Sequence, residues 1–299
     1  MTLSELSDLS MVAAAVGYLI AFFLHSGEWA FARGLAPKRP LDKSEDQARI
    51  RVDLLGRLAI GVTAVAFVVN VVAVVLRGMA AGRPPWGNMY EFVTALVMFA
   101  VLAYLVAVWK LGARWLGIGI TLVAAMGLGG AVTVFYVDVA PLVPALHSVW
   151  FVIHIVAAVI SGAAFNLAAI ASVLYLLRRR AEAGGRAVTG YLARIPSAAR
   201  LDLFAYRLHA FAFPLWTFTI AAGSIWAQYA WGRFWNWDPK ETWSFVTWVI
   251  YAAYLHARAT AGWKGSPAAI IAVVGVVSFW FNFVGVNLIF SGLHSYAGI

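Results

Sequence analysis

Eight apolar runs set the limits on what this chain can become. They cover residues 10–32, 55–76, 88–109, 115–137, 149–177, 208–229, 244–262 and 267–290. Each is near the roughly 20 residues that a helix needs to cross about 30 Å of hydrocarbon. Lipid offers no partner to a backbone amide, so such runs fold as helices that satisfy their own hydrogen bonds. The expected fold class is all-α: a polytopic membrane protein with about eight transmembrane helices, forming one integral-membrane domain over residues 1–299. Only 12% of residues are charged, against roughly 25% in a soluble domain. Residues 1–10 carry Glu5 and Asp8 and no Lys or Arg. The first run is therefore expected to be a retained span, because a secretory signal starts basic.

The loops predict the orientation. All but four of the 22 Lys and Arg lie in alternate loops or at their edges; Arg77, Arg83, Arg233 and Lys240 lie on the other side. The positive-inside rule puts the richer set in the cytoplasm. Residues 33–54 and 178–207 then form cytoplasmic basic loops, and both termini face outward. Pro37 and Pro40 mark the first of these loops. Within the second, LDLFAYRL (201–208) reads as an amphipathic stretch along the inner surface. The net charge of +9 sits in these short loops, which suits anionic lipid and argues against nucleic acid. Gly127–Gly130 lacks the Lys and Ser/Thr of a phosphate loop and is read as a site of close helix packing. There is no cysteine, so no disulfide or thiol nucleophile, and any metal must be held by His or carboxylate.

Between the sixth and seventh runs lies WGRFWNWDPKETW, residues 231–243. Gly232 and Pro239 argue against one continuous helix through it. It is too charged for hydrocarbon, so it is expected as an external loop at the membrane–water boundary. Tryptophans there often serve only as interfacial anchors. Trp231, Trp235, Trp237 and Trp243, interleaved with Arg233, Asp238, Lys240 and Glu241, form a denser cluster than a belt requires. A shelf of flat rings with charges at its rim suits a large planar ligand with an apolar face and an acidic edge, and haem is such a ligand.

Six histidines supply the candidate iron ligands, since ionisable groups near spans are costly and neutral imidazole ligates haem iron. His154 lies about a turn inside the outer end of the fifth run, and His294 lies just past the outer end of the eighth. Both therefore fall at the depth of the Trp-rich loop. His147, seven residues earlier, is an alternative to His154, although its loop context favours a solvated side chain. His256 lies about 18 Å below the Trp-rich loop at 1.5 Å per residue, too deep to share an iron with the outer pair. It reads equally well as a core histidine bonded to a neighbouring helix. His25 is explained by a local pair with Glu28, and His209 by an interfacial position.

The Trp-rich string, with His154 before it, His256 in the next span and His294 after it, resembles the CcsA/ResC-type cytochrome c biogenesis proteins. These are the membrane half of the system II cytochrome c synthase, within the haem-handling WWD family, and are often called CcsB in actinobacteria. Other matching pieces are NMYEF (88–92), the region around VPALHSVWFVIHI, YRLHAFAFPLWT, YLHAR (254–258) and GLHSY (292–296). The first span and its loop match only loosely. The resemblance implies that His154 and His294 are the outer haem ligands. It also implies that His256 belongs to an inner haem site completed by a partner. Haem b, both cargo and substrate, would pass to the outer face and rest on Trp231, Trp235, Trp237 and Trp243. Arg233 and Lys240 would face its propionates, unless Asp238 and Glu241 already hold them. The implied activity is joining haem to the Cys-x-x-Cys-His motif of apocytochrome c. The implied partners are a Ccs1/ResB-type membrane protein, the apocytochrome and a thioredoxin-like thiol reductant. The implied location is the bacterial cytoplasmic membrane.

Three other readings compete. One is a system I-type haem exporter or lyase. Another is a haem-free assembly scaffold. The third is a haem-b electron-transfer subunit, whose two histidines share a helix about four turns apart; no pair here has that spacing.

Overall fold

A computed structural model describes residues 1–299 apart from residues 34, 36–42, 185–187, 261 and 295–299. The expected marks at Pro37 and Pro40, and Ser295 and Tyr296 of GLHSY, lie outside the described residues. The described chain is helical, with no strand among the described residues. The long helices are α1 (Leu3–Phe31), α2 (Lys43–Ala81), α3 (Met89–Leu111), α4 (Gly117–Thr133) and α5 (Val149–Ala183). A short α6 (Gly190–Arg194) follows, then α7 (Ala198–Trp231), α8 (Pro239–Ala259) and α9 (Ser266–Trp280). A π-helical turn, Phe281–Gly285, leads into the single turn α10 (Val286–Ile289).

By length and composition, seven of the described helices can cross a membrane, with the last running from Ser266 to Ile289. This is an all-α polytopic membrane protein. The expected run at 244–262 corresponds to α8, which is not among the seven. Lys240 and Glu241 at its start, and His256 and Arg258 near its end, dilute its hydropathy. LDLFAYRL does not lie along a surface: it is part of the continuous α7, which begins ten residues earlier than the expected sixth run. Most of the expected loop at 178–207 is likewise helix, and α2 starts within the expected loop at 33–54.

Packing divides the bundle into two halves. In one, α1 packs on α2 and α4, and α4 on α3; in the other, α5 packs on α7 and α9, and α8 on α9. Contacts from α3, and a few from α4, to α5 join the halves. Small residues permit the close approaches: a Cβ on Gly17 would lie 2.8 Å from Ala66 Cβ, where α1 crosses α2.

Each end of the bundle is tied by ion pairs, buried at Glu91 and Glu28 and half-exposed at Asp53. At one end Glu91 of α3 accepts from Arg77 (3.1 Å), Arg83 (2.8 Å) and the Gly87 amide (2.6 Å), while Asn88 caps α3. Arg77 also donates to the Val137 carbonyl and lies 3.8 Å from Asp8. Asp8, near the start of α1, therefore sits at the end where α2 finishes and α3 begins. At the opposite end Arg114 bridges Glu28 (2.6 Å) and Asp53 (3.1 Å), Arg194 joins Asp53, and Arg258 grips Asp202 through two bonds of 2.6 and 2.9 Å. A charge this deep is tolerated only when paired and hydrogen-bonded.

Candidate functional site

The end of the bundle that holds α7's C-terminus also holds the Trp-rich stretch. Helix α7 stops at Trp231 because Gly232 adopts a left-handed φ of 72°, a conformation glycine enters without steric cost. Helix α8 restarts at Pro239, whose fixed φ suits a first helical position. Asp238 caps it, accepting from the Lys240 amide at 3.1 Å, and Glu241 reaches back to the amides of Asn236 (2.9 Å) and Asp238 (3.1 Å). The carboxylates of Asp238 and Glu241 are thus engaged with backbone amides, and neither holds Arg233 or Lys240 in an ion pair among the described residues. Trp237, between cap and loop, has a φ of 57° and is the one described non-glycine residue with a positive φ.

His154 projects from α5 against α7. A Cβ at Gly223 would lie 2.7 Å from its Nδ1, so only glycine lets the ring seat there. Nδ1–H donates to the Thr219 carbonyl at 2.8 Å. That bond keeps the proton on Nδ1 and the lone pair on Nε2, the tautomer in which a carbonyl behind the ring orients an imidazole for ligation. The indole of Trp226 stacks beside it, 5.9 Å between centroids and 22° between planes. Trp226 is held in turn by a 2.7 Å bond from Nε1 to the Ala145 carbonyl.

His294 arrives from the other end of the sequence. Its Nδ1 donates to Asp238 Oδ1 at 2.8 Å, while the Leu293 amide donates to Oδ2 at 2.8 Å. Gly292 makes this approach possible, since a Cβ there would lie 2.5 Å from Asp238 Oδ2. Burial pushes the Asp238 carboxyl up. The bond and charge of His294 and the two amide donors outweigh it, holding the carboxyl below the usual range. The His294 ring meets Trp231 edge-on at 4.9 Å and Trp226 at 5.7 Å.

Both imidazoles line one cleft, which encloses about 1060 Å³ of empty space, part of it open to solvent. Ile155, Ala158 and Val159 of α5 and Ile220 of α7 supply apolar lining, and Lys240, Asn282 and Asn287 supply polar lining. Such a space takes a broad, flat, mostly apolar ligand. Two imidazoles within it are the nitrogen donors that would hold a metal carried by such a ligand.

The remaining expected residues divide. Trp235 and Lys240 line the cleft with the two histidines. Trp231 reaches it through His294 and Trp226. Trp237 is 66% exposed and packs on Trp235 and Phe245. Trp243 packs against Phe281 at 4.4 Å, and neither it nor Arg233 lines the cleft. The aromatic shelf is therefore narrower than four tryptophans, and Trp226, outside the motif, is central to it. His147 is exposed, near the Leu142 carbonyl, and does not line the cleft. His256 is exposed on α8, about 24 Å along the helix from Lys240 at 1.5 Å per residue. His25 pairs with Glu28 at 3.6 Å, in line with the local-pair reading. His209 is not interfacial. It is fully buried against Phe165, Tyr251 and Tyr254, and neither ring nitrogen has a partner.

Fold and cleft together define a multi-pass helical membrane protein with a ligand chamber at one end of its bundle. Comparison with known proteins sharpens this: the chain belongs to the family described as "Cytochrome C assembly protein", whose profile matches residues 86–294. It is 36% identical over 236 residues to the cytochrome c biogenesis protein CcsA of Chlamydomonas reinhardtii, a match covering 76% of this chain and 64% of that one. It is 33% identical over 289 residues to CcsA of Microcystis aeruginosa, covering 79% and 87% of the two chains. Among solved structures it resembles the cytochrome c haem lyase CcmF, with a TM-score of 0.63 and 16% identity. That match covers all of this chain and half of that one, and it is a likeness of fold. The chain thus spans less than two thirds of the Chlamydomonas relative and half of the lyase.

Proposed function

We propose that this chain is the membrane subunit of a cytochrome c synthase. It carries haem b to the outer face of a bacterial cytoplasmic membrane and presents it there for thioether attachment to the Cys-x-x-Cys-His motif of apocytochrome c. The observation that carries this reading is the pair His154 and His294. They come from opposite sides of the Trp-rich stretch, and each donates its Nδ1 proton to a fixed acceptor within one aromatic-lined cleft. In this reading the two Nε2 atoms hold the iron of the substrate haem. Trp226, Trp231 and Trp235 hold its faces and edges, each good ring contact contributing about 1 kcal/mol beyond area.

Haem supplies the vinyl groups that the apocytochrome thiols join. The protein's part is to orient, to exclude water and to keep the iron coordinated until the substrate's own histidine takes one position. Lys240 faces a propionate, whereas Arg233 lies off the cleft and is assigned no contact. His256, exposed at the far end of α8, suits an inner haem site shared with a Ccs1/ResB-type partner. A thioredoxin-like reductant keeps the substrate thiols reduced.

The test is the absorption spectrum of the protein purified with its partner. A Soret band lost in the His154→Ala/His294→Ala double variant, together with lost covalent attachment in cells, is the expected result. A colourless protein that still supports attachment sinks the reading. A second reading, a haem exporter or lyase of the system I type, draws on the fold shared with CcmF. Co-purification of a haem chaperone in place of a Ccs1/ResB-type protein would favour it.

A further inference from the structure

One wall of the cleft is unusual in its backbone. At Phe281–Gly285 the helix opens into a π turn, a distortion that recurs at functional sites because it re-aims a side chain. A Cβ on Gly285 would lie 2.7 Å from the Phe281 ring, so glycine allows that ring to sit against the turn, where it packs on Trp243. The turn points Asn282 into the cleft. Asn282 is 5% exposed, and its Oδ1 has no hydrogen-bond partner.

The cleft's other polar side chains are engaged. Ser224 donates to the Phe234 carbonyl, Ser244 to the Glu241 carbonyl, and Asn287 to Met89 sulfur and the Phe283 carbonyl. Among the described residues, Asn282 alone both lines the cleft and has a buried polar side-chain atom without a partner. Leaving such an atom unpaired is costly, and a ligand can recover that cost. Lys240 converges on the same place: its Nζ donates to the carbonyl of the next residue, Phe283, at 3.1 Å. An ammonium has three donors, so one such bond leaves capacity for an anion.

We infer that Asn282 is a ligand-binding residue, forming with Lys240 the corner of the cleft that takes a carboxyl group of the bound molecule. Lys240 meets one carboxylate oxygen. The Asn282 amide meets the other as donor after a half-turn, since its oxygen and nitrogen exchange places by rotation. This rests on the haem reading above and extends it by fixing which way round the porphyrin sits, with a propionate against the π turn.

The experiment uses the protein co-purified with its partner, titrated with haem and with haem dimethyl ester, whose carboxyls are both capped. Wild type is expected to prefer haem. Asn282→Leu, close in size, is expected to weaken haem binding roughly five- to tenfold and to leave the ester unchanged; Asn282→Asp is expected to weaken haem further by repulsion. Melting temperatures of the variants check folding. Two results overturn the inference: Asn282→Leu binding both porphyrins as wild type does, as a water-satisfied amide would, or losing both equally, as a packing role would. If wild type shows a His154/His294-dependent Soret band and Asn282→Leu is silent, only this inference fails. If wild type binds neither porphyrin, the haem reading fails with it.

Discussion

Single residues decide the chamber's geometry, and three substitutions test this. Gly223→Ala places a methyl 2.7 Å from His154 Nδ1. It should displace the imidazole and abolish the Soret band while circular dichroism shows the helices intact. Asp238→Asn keeps a cap for α8 but removes the charge that holds His294. The folded Asp238 carboxyl is depressed, so its contribution is present above the ordinary carboxylate range and disappears as pH falls through the depressed value. The wild type's advantage in melting temperature over Asp238→Asn should therefore be full at pH 6 and shrink below about pH 4. His209 is buried with two unpartnered nitrogens, so His209→Phe should hold or raise the melting temperature, because an apolar ring of similar shape removes an unmet need. The sequence marks His154 and His294 by depth alone, since alternating loop charge puts both at one end. It does not reveal Gly223 or Trp226. Their importance comes from where α7 crosses α5, a tertiary fact with no local signature.

At the scale of elements, α8 carries two kinds of information. Its first turn turns Lys240, Glu241 and Ser244 towards the cleft, at the spacing that puts side chains on one face. Trp243 lies about 100° round from Ser244, which is why one tryptophan of the motif faces away. Reading composition without helical phase could not separate them. Lys240 at this turn is pushed down to about 7, burial outweighing the attraction of Asp238. A lysine depressed in the folded state loses its charge as pH rises through that value, and unfolding then becomes harder between about pH 7 and its ordinary range. The charged and titratable groups around it are Asp238, Glu241, His154 and His294. Affinity for a carboxylate-bearing porphyrin should fall several-fold between pH 6 and 8, and Lys240→Met should flatten that slope. The π turn after α9 was illegible in the sequence, because one extra residue per turn changes neither hydropathy nor composition.

The whole molecule keeps its two ends chemically distinct. Asp8, Glu91 and the Trp-rich stretch share one end, and the Glu28–Arg114–Asp53 network occupies the other. The alternation of basic loops anticipated this division, because an odd or even number of crossings is enough to sort loops by side. Seven spans by composition against about eight expected reflects α8, whose polar ends serve the two surfaces. The chain has no cysteine, so single thiols report its orientation cleanly. His147→Cys should react with a membrane-impermeant maleimide on intact cells. Glu182→Cys, exposed at the end of α5, should react only after permeabilisation. The reverse pattern would invert the orientation.

Asp238 Oδ1 serves two masters: the amide that begins α8 and the imidazole of His294. If that imidazole swings away, the helix terminus keeps its cap and does not fray. Under the proposed function, a visiting histidine would trade places with the resident one while the surrounding scaffold stays still, so handover and structural integrity would be decoupled at a single oxygen.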